Sequence, residues 1–108
     1  MPQGAPRRVW LDAYVLDTLM ADLVGHDRTP AAFVVYLHLW KQSRRARRGR
    51  VSASHREMAE DTGLSKSAVQ AAVRLLKRRQ LLRSFQATQT ATPEYEVLRP
   101  WLRRPRAE

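Results

Sequence analysis

The sequence predicts a mainly α domain closed by a small β-hairpin. Three observations lead there. Apolar residues recur at helical spacing through the first three quarters of the chain. Residues 54–79, SHREMAEDTGLSKSAVQAAVRLLKRR, read as two short helices joined by a tight turn. Beyond Gln80 the periodicity falls to two, as in strands. The 108 residues suffice for one domain with a modest core, and 44% hydrophobic content is ordinary for a globular chain.

The elements follow in order. Residues 1–8 (MPQGAPRR) are expected to form a flexible basic tail, residues 9–102 the domain, and residues 103–108 a second flexible basic tail. Asp12 is expected to cap a helix that runs to Val24, with Val15, Leu16, Leu19 and Leu23 as its apolar face and Gly25 as its end. Thr29-Pro30 opens the next helix, since Pro suits the first helical position. That helix extends to Ser43. Phe33, Tyr36, Leu37 and Trp40 mark its core face, thickened by Val34 and Leu39, with His38 as a packing or surface residue. Residues 41–50 (KQSRRARRGR) hold six positive charges and read as a solvated, mobile linker.

Ser54 and Glu57 have the spacing of a capping box, so a helix starts there. Met58 and Ala59 face inward, and Ala59 is small enough for two helices to cross closely. Gly63 supplies a left-handed residue that ends this helix. Leu64 plugs the corner, and Ser65 caps the following helix. In that helix Val69, Ala72, Val73 and Leu76 form one apolar stripe, while Ser67, Gln70, Ala71 and Arg74 lie nearly opposite. Then Leu82, Ser84 and Gln86 alternate with Arg83, Phe85 and Ala87, and Tyr95, Val97 and Leu98 make a second strand-like run. Pro100-Trp101-Leu102 is expected to fold back as an apolar latch.

Charge narrows the function. The net charge is +10, and it is uneven: residues 1–40 hold three Arg and four Asp, residues 41–108 hold seventeen Lys or Arg and six Asp or Glu. No acidic residue falls between Asp61 and Glu94. A one-sided basic field of this kind suits a polyanion. The absence of Cys excludes disulfides, thiolate zinc sites and Cys nucleophiles. His26, His38 and His55 match no metal-ligand spacing, and no Gly-rich phosphate loop is present. No cofactor, metal or small-molecule ligand is therefore expected, and no enzyme activity. Asp12, Asp17, Asp22 and Asp27 recur every five residues, which shares no face of an α-helix; they are expected to be solvated or capping. No apolar run approaches a membrane span and no signal peptide is visible, so a cytoplasmic, nucleoid-associated chain without membrane contact is expected.

Two helices, then a helix-turn-helix, then a hairpin is the order of a winged helix. Residues Val51 to Leu98 resemble the winged helix-turn-helix domains of bacterial GntR-type and MarR-type regulators. They are equally similar to the winged helices of plasmid and phage replication initiators. Ala59, Gly63, Leu64, Ser65, Val69 and Leu81-Leu82 carry the match. The resemblance implies a three-helix core plus wing, here with an extra N-terminal helix, and DNA binding. Three departures stand out. Gln80 occupies the place where such families usually have Gly, and the wing residues 86–93 contain no Arg or Lys. A chain of this length also leaves no room for an effector-binding or catalytic domain.

The leading expectation is sequence-specific binding of double-stranded DNA by a small transcriptional regulator. Lys66, Ser67, Gln70 and Arg74 would sit at or in the major groove, where Gln suits adenine and Arg suits guanine. The amides near Ser65 could hold a phosphate. Lys77, Arg78, Arg79, Arg83 and the run Arg44, Arg45, Arg47, Arg48 and Arg50 would supply salt-dependent affinity. The alternative is the DNA-binding part of a plasmid or phage replication or partition protein. A winged helix used for protein contacts is a third reading, disfavoured by the acid-free stretch. RNA binding is disfavoured because the strands show no exposed aromatic platform. A homodimer is a further possibility, with the helix near 12–24 as its seam.

Overall fold

The computed structural model describes residues 7–45 and 49–102. Both expected tails lie wholly or mostly outside these residues, as do Arg47 and Arg48. The fold is mainly α with a small three-stranded antiparallel sheet, an arrangement compatible with a winged helix. Helix α1 spans Pro30–Arg45, β1 Arg50–Ser52, α2 His55–Thr62, α3 Lys66–Arg78, β2 Leu82–Phe85 and β3 Glu94–Val97. An N-terminal helix precedes them, and a 3-10 turn, Pro100–Leu102, follows.

Helix α1 is the centre of the core. Ala32, Phe33, Val35, Tyr36, Leu39 and Trp40 are buried along it, and the other helices and β3 pack around it. Two expectations change here. Val34 is exposed, and α1 continues two residues past Ser43 to Arg45. The basic run is thus not one linker: Arg44 and Arg45 end a helix and Arg50 begins a strand. His38 is buried, with Nε2 3.7 Å from Asp61 of α2.

The N-terminal helix departs from the expected α-helix. Segments Val15–Leu19 and Ala21–His26 close by i→i+5 hydrogen bonds, as from the Met20 N–H to the Val15 carbonyl. The wider turn lets Val15, Leu19 and Leu23, spaced by four, share the buried side. Leu16 faces solvent instead, and Gly25 lies inside the helix rather than ending it. Asp12 does not cap with its side chain. Its carboxylate accepts three hydrogen bonds from Arg99, at 2.9, 2.8 and 2.7 Å, and one at 2.8 Å from Trp101. Burial opposes its ionisation, but these bonds and the Arg99 charge outweigh it and lower its pKa. Trp101 stacks on Tyr14 and Trp40, so the C-terminal latch closes on the N-terminal helix and on α1.

Helices α2 and α3 and the turn between them form as their residues dictate. Ser54 Oγ accepts from the Glu57 N–H at 3.0 Å, and Glu57 Oε1 accepts from the Ser54 N–H at 2.8 Å. Gly63 is left-handed at φ 83°, and Ser65 Oγ accepts from the Ala68 N–H at 3.1 Å. Leu64 and Ala59 pack against the core. Helix α3 buries Val69, Ala72, Val73 and Leu76.

The sheet order is β1-β3-β2, all antiparallel. Leu82 pairs with Val97 and Phe85 with Glu94, which is the expected hairpin. Strand β1 was not expected. Its Val51 pairs with Tyr95, and both are buried. The signal in the sequence is short: Arg50-Val51-Ser52-Ala53 alternates exposed and buried.

The end of α3 explains the missing Gly. Gln80 itself adopts the left-handed conformation, φ 59°. Its N–H donates to the Lys77 carbonyl at 3.0 Å, and the Leu81 N–H donates to the Leu76 carbonyl at 2.8 Å. This is a Schellman closure with a side chain where Gly is preferred. Two substitutions should therefore act in opposite directions. Gly63→Val forces a β-branched residue into left-handed space and should destabilise by ~1–3 kcal/mol. Gln80→Gly relieves that strain, less the entropy of Gly, and should stabilise by about 0.5–1 kcal/mol. Thermal melts of both variants check the pair, and shifts of the same sign would contradict the turn geometry.

Candidate nucleic-acid interface

Burying one stripe of α3 turns the opposite stripe outward. Lys66, Ser67, Arg74, Lys77 and Arg78 are exposed and Gln70 is half-buried. Ser65 and Ser67 sit at the start of the helix, their hydroxyls 3.3 Å apart. The remaining amides of the first turn point along the axis toward that corner, where an anion is favoured.

Lys66, Gln70, Arg74 and Lys77 of α3 line one side of a groove of about 660 Å³. His55 and Ser54 lie at its base, and Gln86, Gln89, Thr90 and Thr92 of the β2–β3 loop form its far wall. That loop is tied by its own bonds: the Gln86 side-chain amide donates to the Gln89 and Ala91 carbonyls at 3.2 and 2.6 Å. The far wall is therefore neutral and rich in hydrogen-bonding groups, while the near wall is cationic. Among the described residues, no carboxylate lines the groove.

His55 lies beside these cations. Burial lowers its pKa first, and the charges of Lys66, Arg74 and Lys77 lower it further. The residue types around Gln89 and Thr90 were legible as loop, but their place opposite α3, and the role of His55, were not. The Gln- and Thr-rich run 86–92 was the available signal.

The other basic residues are sorted differently. Arg83 pairs with Glu96 at 3.2 Å and Arg50 with Glu94 at 3.7 Å, on one face of the sheet. Arg50 also lies over the Phe85 ring, 3.7 Å from its centroid. Arg44 covers Trp10, 4.6 Å from the ring centroid. Arg79 turns away from α3's outward face to Asp22 at 3.4 Å and Asp27 at 3.5 Å. The aspartates at 12, 22 and 27 are thus partners of arginines, not merely solvated; Asp17 is exposed. Among the described residues, no carboxylate lies within ion-pairing distance of Lys66, Arg74, Lys77 or Arg78. The structure brings these four together with Ser65, Ser67 and Gln70. It separates them from Arg44 and from the sheet-face pair Arg50 and Arg83.

A second groove, about 680 Å³, runs beside Gln80, Leu82, Leu98 and Leu102. Its Arg83 and Arg99 are already held by Glu96 and Asp12, so it is the poorer anion site. Among the described residues no three His, Asp or Glu side chains cluster as a metal-ligand set, and no helix is long and apolar enough to cross a membrane.

Comparisons with protein-family models, with curated proteins and with solved structures find no match.

Two histidines make the stability of the free protein depend on pH. Burial and Lys41 lower the pKa of His38 against the opposing pull of Asp61, and His55 is lowered as above. Below the ordinary value of about 6.5, the unfolded chain binds protons that the folded chain resists, so stability falls as pH falls. Above that value the contribution is fully present. We expect the Tm to drop on mild acidification. A His38→Gln/His55→Gln variant should lose that part of the drop; an unchanged slope would contradict the assignment.

Proposed function

We propose that this chain is a winged helix-turn-helix protein that binds double-stranded DNA, with α3 in the major groove, as a small transcriptional regulator. One observation carries the reading. Lys66, Arg74, Lys77 and Arg78 lie together on the outward side of α3 with no carboxylate within ion-pairing distance among the described residues, and they share that helix with Gln70 and two serines. A surface of short and hydrogen-bonding side chains near the helix start can approach base edges. A bulky apolar one could not.

The roles divide along the helix. Gln70 and Arg74 sit mid-face, where bidentate bonds to adenine and guanine are within reach. Lys66, Ser65 and Ser67 are placed for a phosphate at the helix start, and Lys77 and Arg78 for phosphates near its end. The neutral loop wall adds hydrogen bonds rather than charge. Arg50 and Arg83, held by glutamates, and Arg79, held by aspartates, contribute less than their charge suggests. The reading is of a binding protein without catalytic chemistry.

Salt tests the electrostatic part. About four to six phosphate contacts give a log–log slope of affinity against salt of roughly −4 to −5. Titrations from low to physiological salt measure it, and a flat response would remove the DNA reading.

Substitution tests the division of roles at one fixed salt. Gln70→Ala and Arg74→Ala should each cost ~1–3 kcal/mol on a selected site and much less on scrambled duplex. Lys77→Ala should weaken both duplexes by the same factor, and Arg83→Ala should weaken both less than Lys77→Ala does. Equal losses on both duplexes for Arg74→Ala would mean that α3 does not read bases.

A further inference from the structure

We propose that this protein takes up a proton as it binds DNA, that His55 is the group that takes it, and that the resulting imidazolium holds a backbone phosphate in the groove beside α3. This rests on the DNA-binding reading and goes beyond it, because it makes affinity depend on pH.

The geometry comes first. His55 is the first residue of α2, and the Ser54–Glu57 capping box fixes where that helix starts. The residue is half-buried at the base of the groove. Helix α3 brings Lys66, Arg74 and Lys77 to the same groove. Arg56 of α2 also lines it, with its Nε 3.4 Å from Glu60. Strand β3 contributes Tyr95, whose hydroxyl burial keeps protonated. The loop residues 86–93 carry no charge. The acids of α2 are engaged elsewhere: Glu57 in the capping box, Glu60 with Arg56, and Asp61 3.7 Å from His38 of α1. Among the described residues, no carboxylate lies within ion-pairing distance of His55.

An imidazole in these surroundings stays neutral in the free protein. Burial disfavours its cation first, and the charges of Lys66, Arg74 and Lys77 add to that. A DNA strand in the groove reverses the sign of the field. Its phosphodiesters are ionised throughout the range in which histidine titrates, and a phosphate drawn to these cations offsets them. His55 then gains an anionic acceptor, and the protonated ring has two N–H donors to offer it. The proton is therefore bound more tightly in the complex than in the free protein. As pH falls through the ordinary histidine range the complex is protonated before the free protein, so affinity rises. Once both are protonated the gain levels off. The stability of the free protein moves the other way, since acidification lowers it. Loss of fold cannot imitate a rise in affinity.

The test measures affinity for a mixed-sequence duplex from about pH 8 to about pH 5.5, at one fixed salt. A difference of about one pKa unit between free and bound states, the low end for an opposite charge brought beside a group, gives a rise of roughly tenfold. His55→Gln should bind at every pH as weakly as the parent does at the alkaline end. His55→Arg should bind at every pH about as tightly as the parent does at the acid end. His26→Gln, whose parent side chain is exposed and pairs with Asp27, should keep the full rise. A second measurement needs no substitution: the ring-proton resonances of His55 report its titration midpoint, which should lie higher in the complex than in the free protein.

A flat or falling affinity, a rise that survives in His55→Gln, or a midpoint unmoved by the duplex would overturn the coupling and leave DNA binding standing. No binding to duplex at any pH would remove the DNA-binding reading and the coupling with it.

Discussion

The docking of α3 on α1 is the constraint from which the rest follows. Four side chains, Val69, Ala72, Val73 and Leu76, are buried along one side of α3. Each large one contributes about 1.5–3 kcal/mol by leaving water. With that side committed, the outward side has no choice of direction. Its residues can then be short, polar and cationic without cost to the core. Gly63 and the caps at Ser54 and Ser65 set where α2 and α3 begin and end, but it is the buried stripe that orients the face. The sheet depends on the same packing, since Leu81 and Leu82 leave α3 directly into the core before β2 turns back.

Charge in this molecule is sorted rather than spread. The acidic N-terminal stretch takes up Arg79 and Arg99, and the two glutamates of β3 take up Arg50 and Arg83. Surface pairs of this kind add little stability. Their effect is to reduce the positive field along the sheet, while Lys66, Arg74, Lys77 and Arg78 of α3 keep theirs unpaired among the described residues. Burial lowers the pKa of His55 first, and the charges of Lys66, Arg74 and Lys77 beside it act in the same direction.

What could be read in advance was local. The capping box, the left-handed Gly63, the stripe of α3 and the hairpin each depend on residues within a few positions of one another. What could not be read depended on partners far along the chain. Nothing near Arg79 or Arg83 announces an aspartate 57 residues away or a glutamate 13 residues away. Strand β1 has three residues and exists because β3 offers an edge. Gln80 looked like a departure from the usual Gly, yet the backbone takes the same left-handed turn and the side chain accepts the strain. The five-residue spacing of the aspartates made no sense for an α-helix; the wider N-terminal helix and its arginine partners account for three of them.

On the proposed function, the outward face of α3 meets DNA. Backbone amide shifts on titration with a short duplex test it most directly, residue by residue. The largest changes are expected at Ser65 to Gln70, Ala71 and Arg74, with smaller ones at Gln89 and Thr90 across the groove, and little change at Leu16, Met20, Arg50 or Phe85. Changes centred on the outer face of the sheet or on the N-terminal helix, with α3 silent, would contradict it.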